Sequence, residues 1–276
     1  MFADYHVHTE FSDDSVYPME SVVRDAIQMG MDEICFTDHV DYGVKDDWDA
    51  GVEIRWRGNE PFANVDYPAY MAEIRRMQSE YGGRIHIRTG LEFGMQTHTI
   101  PQYKALFSRY LFDFIILSDH QIENKEFWTQ DFQRGRSQKE YNERYYQELL
   151  DLVRNYKNYS VLGHLDLIRR YDNAGDYPFE YTKPLIREIL QTVIQDGKGI
   201  EVNTSSYRYG LNDLTPSEEI LRLYRELGGT ILTIGSDSHK PEQLGAHISD
   251  TRKRLKELGF RSFCTYAEMK PVFYEL

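Results

Sequence analysis

Short apolar runs and longer amphipathic stretches alternate along this chain. Runs rich in β-branched and aromatic residues at Ala3–His8, Glu33–Thr37, Ile85–Glu92, Phe112–Ser118, Ser160–His164, Gly199–Asn203 and Thr230–Gly235 predict seven strands. Between them the apolar positions fall at helical spacing. Ser137–Tyr156 opens with the capping box Ser137-Gln138-Lys139-Glu140 and places Tyr141, Tyr145, Leu149, Leu152 and Tyr156 along one face. A second predicted helix starts at Thr215-Pro216-Ser217-Glu218, with proline at its first position, and stops at Gly228-Gly229. Further helices are expected over Met19–Met29, Tyr67–Tyr81, Glu180–Asp196 and Pro241–Leu258. Strands that each lead into a helix predict an α/β fold with a parallel sheet and crossover helices. No low-complexity stretch or Pro/Gly/Ser linker divides the sequence, so residues 1–276 are expected to form a single domain.

The polar residues gather where the predicted strands end, and this favours a closed or nearly closed barrel over an open sheet. The first strand ends in His6-Val7-His8, the second in Thr37-Asp38-His39 and the third in Gly90-Leu91-Glu92. The fourth ends in Leu117-Ser118-Asp119-His120, the fifth in Gly163-His164-Leu165-Asp166 and the seventh in Gly235-Ser236-Asp237-Ser238-His239. Residues two apart on a strand share a face, so His6 pairs with His8 and Asp237 with His239. Barrel active sites are assembled from several carboxyl-terminal strand ends at once. A lone histidine at a strand end is more often structural than a ligand, and His-x-His alone is a weak signal. Six such ends in one chain point to a shared metal site. Imidazoles with a few carboxylates suit Zn, Fe or Mn better than Ca or Mg.

Composition narrows the possibilities. Lys plus Arg number 32 against 45 Asp plus Glu, a formal net charge of −13. That balance disfavours nucleic acid, whose binding rests on phosphate neutralisation, and anionic membrane surfaces. The start, MFADYHVHTEF, has neither the basic nor the apolar region of a signal peptide, and no apolar stretch nears the roughly 20 residues that span a bilayer. Cys35 and Cys264 are too few for a disulfide framework, and Cys35 lies in an apolar run. A cytoplasmic, reducing environment is expected.

These ordered motifs resemble those of the polymerase and histidinol phosphatase (PHP) superfamily. The resemblance runs from His6-Val7-His8-Thr9 to Gly235-Ser236-Asp237-Ser238-His239 and beyond. It is narrower still to the stand-alone histidinol-phosphate phosphatases, on Gly163-His164-Leu165-Asp166-Leu167-Ile168-Arg169-Arg170-Tyr171 and Glu201-Val202-Asn203-Thr204-Ser205. The resemblance implies a distorted, TIM-like seven-stranded (β/α)7 barrel holding three divalent transition-metal ions (Zn, Fe or Mn). It assigns His6, His8, Glu92 and Asp237 to one ion, and Glu92 as a bridge with His120 and His164 to a second. A third would take His39, His239 and Asp14, where many relatives carry histidine; the adjacent Asp13 is the alternative.

Three such ions carry +6, of which Asp14, Glu92 and Asp237 return −3, leaving a positive well suited to a phosphate monoester. Arg170 and Arg208 match phosphate-contacting positions, with Arg169 as the fallback. The implied reaction is hydrolysis of L-histidinol phosphate, a step of histidine biosynthesis, by in-line attack of a metal-bridging hydroxide. Glu92 and Asp237 would hold the nucleophilic pair of ions, and either His239 or Asp237 would protonate the leaving group. Aromatic loops at 41–66 and 121–136 are candidates for specificity, with Trp128 against the imidazole and Asp47 or Glu123 against the ammonium, or else mere packing. Two other functions stay open: a related phosphoesterase acting on nucleotides, cyclic phosphodiesters or DNA 3′ ends, and a non-catalytic metal-binding regulatory module. The oligomeric state is not legible.

Overall fold

A computed structural model describes residues 1–58, 60–211 and 213–276. Among the described residues seven strands follow one another in chain order along one parallel sheet: β1 (Ala3–Val7), β2 (Glu33–Phe36), β3 (His86–Gly94), β4 (Phe114–Ser118), β5 (Val161–Leu162), β6 (Gly199–Asn203) and β7 (Leu232–Gly235), and a two-residue strand, His39–Val40, pairs with the end of β3 off this path. The sheet nearly closes. Val7 bridges Ser238 in parallel, and the His8 amide donates to the Ser238 carbonyl at 2.9 Å. The buried Asp4 carboxylate reinforces this seam by accepting from the Ser236 amide (2.8 Å), the Ser236 hydroxyl (2.5 Å) and the Gly245 amide (2.9 Å). The fold is the nearly closed barrel that the strand ends favour and the distorted seven-stranded one that the resemblance implies.

Among the described residues seven α-helices follow the strands: α1 (Met19–Gln28), α2 (Tyr67–Tyr81), α3 (Ile100–Arg109), α4 (Gln138–Asn155), α5 (Phe179–Gln195), α6 (Glu218–Glu226) and α7 (Ile248–Glu257). In α4 the capping box forms as predicted, with the Ser137 amide 2.7 Å from Glu140 Oε2, and the Tyr141 to Tyr156 face is buried. The helix expected from Thr215 begins later. Ser217 is its N-cap, and Ser217 N donates to Asp166 Oδ2 at 2.9 Å, so Pro216 lies outside. The expected helix Pro241–Leu258 is a short 3₁₀ turn, Pro241–Gln243, followed by α7. Two elements are not expected from the sequence pattern: α3, and a terminal antiparallel hairpin, β8 (Ser262–Ala267) and β9 (Lys270–Glu275).

The hairpin fills the barrel from below. Cys264 and Tyr266 of β8 pack with Ala3, Tyr5, Phe114 and Val161 in a cluster separate from the main core around the helices. The register of β1 on β2 shifts between Asp4 and Val7. Tyr5 therefore packs in this lower cluster while Val7 packs in the outer core, and His6 and His8, both fully buried, turn their Nε2 atoms toward Glu92. Both cysteines are free and buried. Among the described residues no helix is long and apolar enough to cross a membrane.

Candidate metal centre

The carboxyl ends of the strands meet around Glu92, near the end of β3 and fully buried. Parallel pairing sets Glu92 opposite His39 and Ile116, and the Ser118 hydroxyl donates to its Oε1 at 2.7 Å. The two oxygens of Glu92 face different partners. Oε2 lies 3.1 Å from His6 Nε2 and 3.5 Å from His8 Nε2; Oε1 lies 3.1 Å from His120 Nε2 and 2.7 Å from His164 Nε2. Asp237 Oδ1 completes the first group, 3.7 Å from His6 Nε2 and 3.4 Å from His8 Nε2. In a third group Asp14 Oδ2 is 3.4 Å from His39 Nε2 and 3.2 Å from His239 Nε2. Asp13 is elsewhere, its Oδ1 paired with Lys45 at 2.5 Å.

These separations fit atoms that share ions. Ligands at 2.0–2.1 Å around a tetrahedral zinc stand about 3.3 Å apart. His8 Nε2 and His39 Nδ1 are buried without hydrogen bonds, though each has a Glu92 oxygen within 3.5 Å, which is the pattern of two ligands aimed at a common point rather than at each other. Several groups of three histidine and carboxylate residues are close enough to hold a metal, among them His6-His8-Asp237, His6-Glu92-His164 and His8-His39-His239. Burial opposes charge on Glu92, but His6, His120 and His39 outweigh it and hold the carboxyl well below its ordinary range. Burial, and then His239 and His39, push His8 well below the ordinary imidazole value, which keeps its ring neutral and its lone pair free.

Two carboxylates that sequence reasoning did not assign orient the rings. Glu201 Oε1 meets His6 Nδ1 at 2.5 Å, and Asp41 Oδ1 meets His120 Nδ1 at 2.8 Å. Each pair fixes the tautomer that turns Nε2 toward Glu92. Each also needs a glycine alongside. A Cβ on Gly94 would fall 1.8 Å from Asp41 Oδ1 and 2.5 Å from His120 Nδ1; one on Gly235 would fall 2.3 Å from His6 Cβ and 2.8 Å from Glu201 Oε1. A charged residue within the apolar strand Gly-Ile-Glu-Val-Asn was the available sign for Glu201; Asp41, in a loop, gave none. A further carboxylate, Asp38, accepts from the Thr9 amide (2.7 Å) and the Ser12 hydroxyl (2.7 Å), anchoring the turn that carries Asp14.

Above the cluster lies a cavity of about 350 Å³, within the range of small-molecule sites. Arg170 and Arg208 both line it, on the side of Asp237. Arg170 Nη2 is 3.6 Å from Asp237 Oδ2 and 2.5 Å from Ser205 Oγ, its guanidinium lies over Tyr209, and its Nε has no partner. Arg208 donates to the carbonyls of Ser236 (2.8 Å) and Asp237 (2.7 Å) instead. The fallback Arg169 is held by Asp166 at 3.0 Å and does not line the cavity. Around Asp41 the wall is acidic and aromatic: Asp13, Glu126 and Trp128, with Arg57 between them.

The other expected specificity residues fall away from the opening. Asp47 accepts from Tyr42 and Asn64 of its own loop and from Tyr67 at the start of α2, and Glu123 pairs on the surface with Arg136. Tyr42, Phe127 and Phe132 are core packing.

The PHP domain model matches residues 4–205. A histidinol-phosphatase of Lactococcus lactis is 30% identical over 97% of this chain and 95% of its own. That of Saccharomyces cerevisiae is 20% identical over 96% and 91%. The crystal structure of a Lactococcus lactis histidinol phosphate phosphatase in complex with zinc, L-histidinol and phosphate superimposes with a TM-score of 0.83 at 29% identity, covering 98% of both chains. A chain from Listeria monocytogenes shares the fold at a TM-score of 0.73 and 20% identity, over 90% of this chain and 99% of its own. The barrel agrees with these matches, and the chain belongs to the PHP domain family.

Proposed function

We infer that this chain is a metal-dependent phosphomonoesterase that hydrolyses L-histidinol phosphate to L-histidinol and phosphate, residues 1–276 acting as one unit. The observation that carries this is similarity to a histidinol-phosphatase over nearly the whole of both chains, joined to a cavity that lies over a cluster of six imidazoles and three carboxylates. The ligand sets are His6, His8, Glu92 and Asp237; Glu92, His120 and His164; and His39, His239 and Asp14, because Lys45 occupies Asp13. Bound there, the ions supply an activated water and offset charge on the phosphoryl oxygens. Arg170 binds the phosphate from the side of Asp237. His239 has both nitrogens engaged, Nδ1 at 3.0 Å from the Asp237 carbonyl and Nε2 facing Asp14. Burial opposes charge on Asp237, but His6, His8 and His239 hold its carboxyl well below the ordinary range; with Oδ2 on the side of Arg170, it is the group that takes the proton released by the attacking water and passes it to the leaving oxygen.

At the acidic wall Glu126 meets the cationic part of the substrate and Trp128 covers its ring. Burial raises the Glu126 carboxyl, and Trp128 and Arg57 oppose the rise; a substrate cation would add to that opposition. Glu126→Gln is expected to cost about tenfold in kcat/KM on histidinol phosphate, in the range of one charge-assisted hydrogen bond, and to spare p-nitrophenyl phosphate. Equal losses on both substrates would remove Glu126 from substrate recognition. Asp47→Asn should act on thermal stability only.

The direct test is a phosphate-release screen of the zinc-loaded protein against histidinol phosphate, nucleotides and 3′-phosphorylated oligonucleotides, with elemental analysis alongside. Histidinol phosphate should be preferred, with about three ions per chain. Preference for a nucleotide, or turnover retained with less than one ion after zinc supplementation, would overturn the reading.

A further inference from the structure

Lys45 is a buried cation between two carboxylates. Its Nζ lies 2.8 Å from Asp41 Oδ2 and 2.5 Å from Asp13 Oδ1, and the side chain is 7% exposed. The backbone builds this contact locally. The Lys45 amide donates to the Asp41 carbonyl at 2.9 Å, one turn back, which returns the side chain over the Asp41 carboxylate. The Asp41 amide is tied in turn to Asn64 Oδ1 at 2.8 Å. The other oxygen of Asp41 is the one that meets His120 Nδ1, in the space that Gly94 leaves open. A chain of polar contacts thus runs Asp13, Lys45, Asp41, His120 and ends on Glu92 Oε1.

A buried carboxylate needs a counter-charge to stay ionised and oriented. Here two of them, Asp13 and Asp41, share Lys45, with Arg57 a distant second partner of Asp13 at 3.9 Å. Remove the ammonium, and two anions are left facing one another beside the histidine cluster. Asp41 is then free to rotate away from His120, and Asp13 to turn toward the ions that its neighbour Asp14 serves.

We propose that Lys45 is a positioning residue of the metal centre: through Asp41 it fixes the ring of His120, and by holding Asp13 it reserves the third ion for Asp14. This rests on the metal reading above.

The test uses Lys45→Met, which keeps the unbranched side chain up to the ε position and removes the ammonium, and Lys45→Arg, which keeps its charge. Each full-length protein is stripped of metal, reloaded with zinc alone and titrated with a competing chelator; a cobalt-loaded sample supplies the visible spectrum. Removing a partner that orients a metal ligand typically weakens binding 10- to 100-fold. Lys45→Met should therefore lose one ion about tenfold more readily than wild type, with an altered cobalt spectrum. Its turnover should fall at limiting zinc and return in excess zinc, while Lys45→Arg stays near wild type. Should the methionine variant fail to fold, Lys45→Gln carries the same comparison. Wild-type zinc affinity and cobalt spectrum in a folded, uncharged variant would overturn the assignment, as would an arginine variant as weak as the methionine one. If wild type itself takes up no zinc, the metal reading falls first and this inference with it.

Discussion

Glu92→Gln is expected to lower kcat by roughly 10²- to 10⁴-fold. The change keeps shape and volume, so what it removes is one negative charge facing two ion sites, Oε2 toward His6 and His8 and Oε1 toward His120 and His164. Counting one lost charge-assisted contact per site, at about 1.5–3 kcal/mol each, gives about 3–6 kcal/mol; a factor of ten corresponds to about 1.4 kcal/mol. Metal content should fall with activity, by more than one ion per chain. Asp14→Asn is the internal control. Its carboxylate faces only His39 and His239 and its side chain is 46% exposed, so the loss should be nearer tenfold, with at most one ion affected. Equal and mild losses in the two variants would mean that Glu92 does not bridge.

How far the sequence alone could reach is clear from these same residues. Histidines and carboxylates at strand ends are visible because strand periodicity and chain order place them on one rim, and no tertiary detail is needed to see that they converge. The seven strands are legible for the same reason, each being a short buried run between helices of opposite pattern. Residues whose role depends on a loop path were not legible. Asp41, Lys45 and Glu126 are ordinary surface-type residues in aromatic, acidic segments, and only the fold of those segments turns them inward. Asp47 and Glu123 looked equally suitable, yet hydrogen bonds in and beside the loops hold them elsewhere. The terminal hairpin escaped because β9 is mostly exposed and β8 packs under the barrel, so neither shows the pattern of a barrel strand.

Arg170 and Arg208 were equivalent in the sequence, and the structure separates them. Arg170 lines the cavity and its buried Nε has no hydrogen-bond partner, so Arg170→Ala should remove one charge-assisted hydrogen bond to phosphate, worth about 1.5–3 kcal/mol. That is about 10- to 150-fold in kcat/KM. Because the contact is to phosphate, the loss should appear on histidinol phosphate and on p-nitrophenyl phosphate alike, with metal content unchanged. Arg208 grips the carbonyls of Ser236 and Asp237, and Asp237 sits at φ 55°, a left-handed conformation that aspartate tolerates at some cost. Arg208→Ala therefore releases the backbone that aims a metal ligand, and it should lower zinc occupancy together with activity. Elemental analysis of the two variants beside their kinetics decides the matter. A loss on one substrate only in Arg170→Ala would take that residue off the phosphate. Full zinc occupancy in an impaired Arg208→Ala would make Arg208 a direct phosphate ligand, its carbonyl contacts exchanged for the substrate on binding.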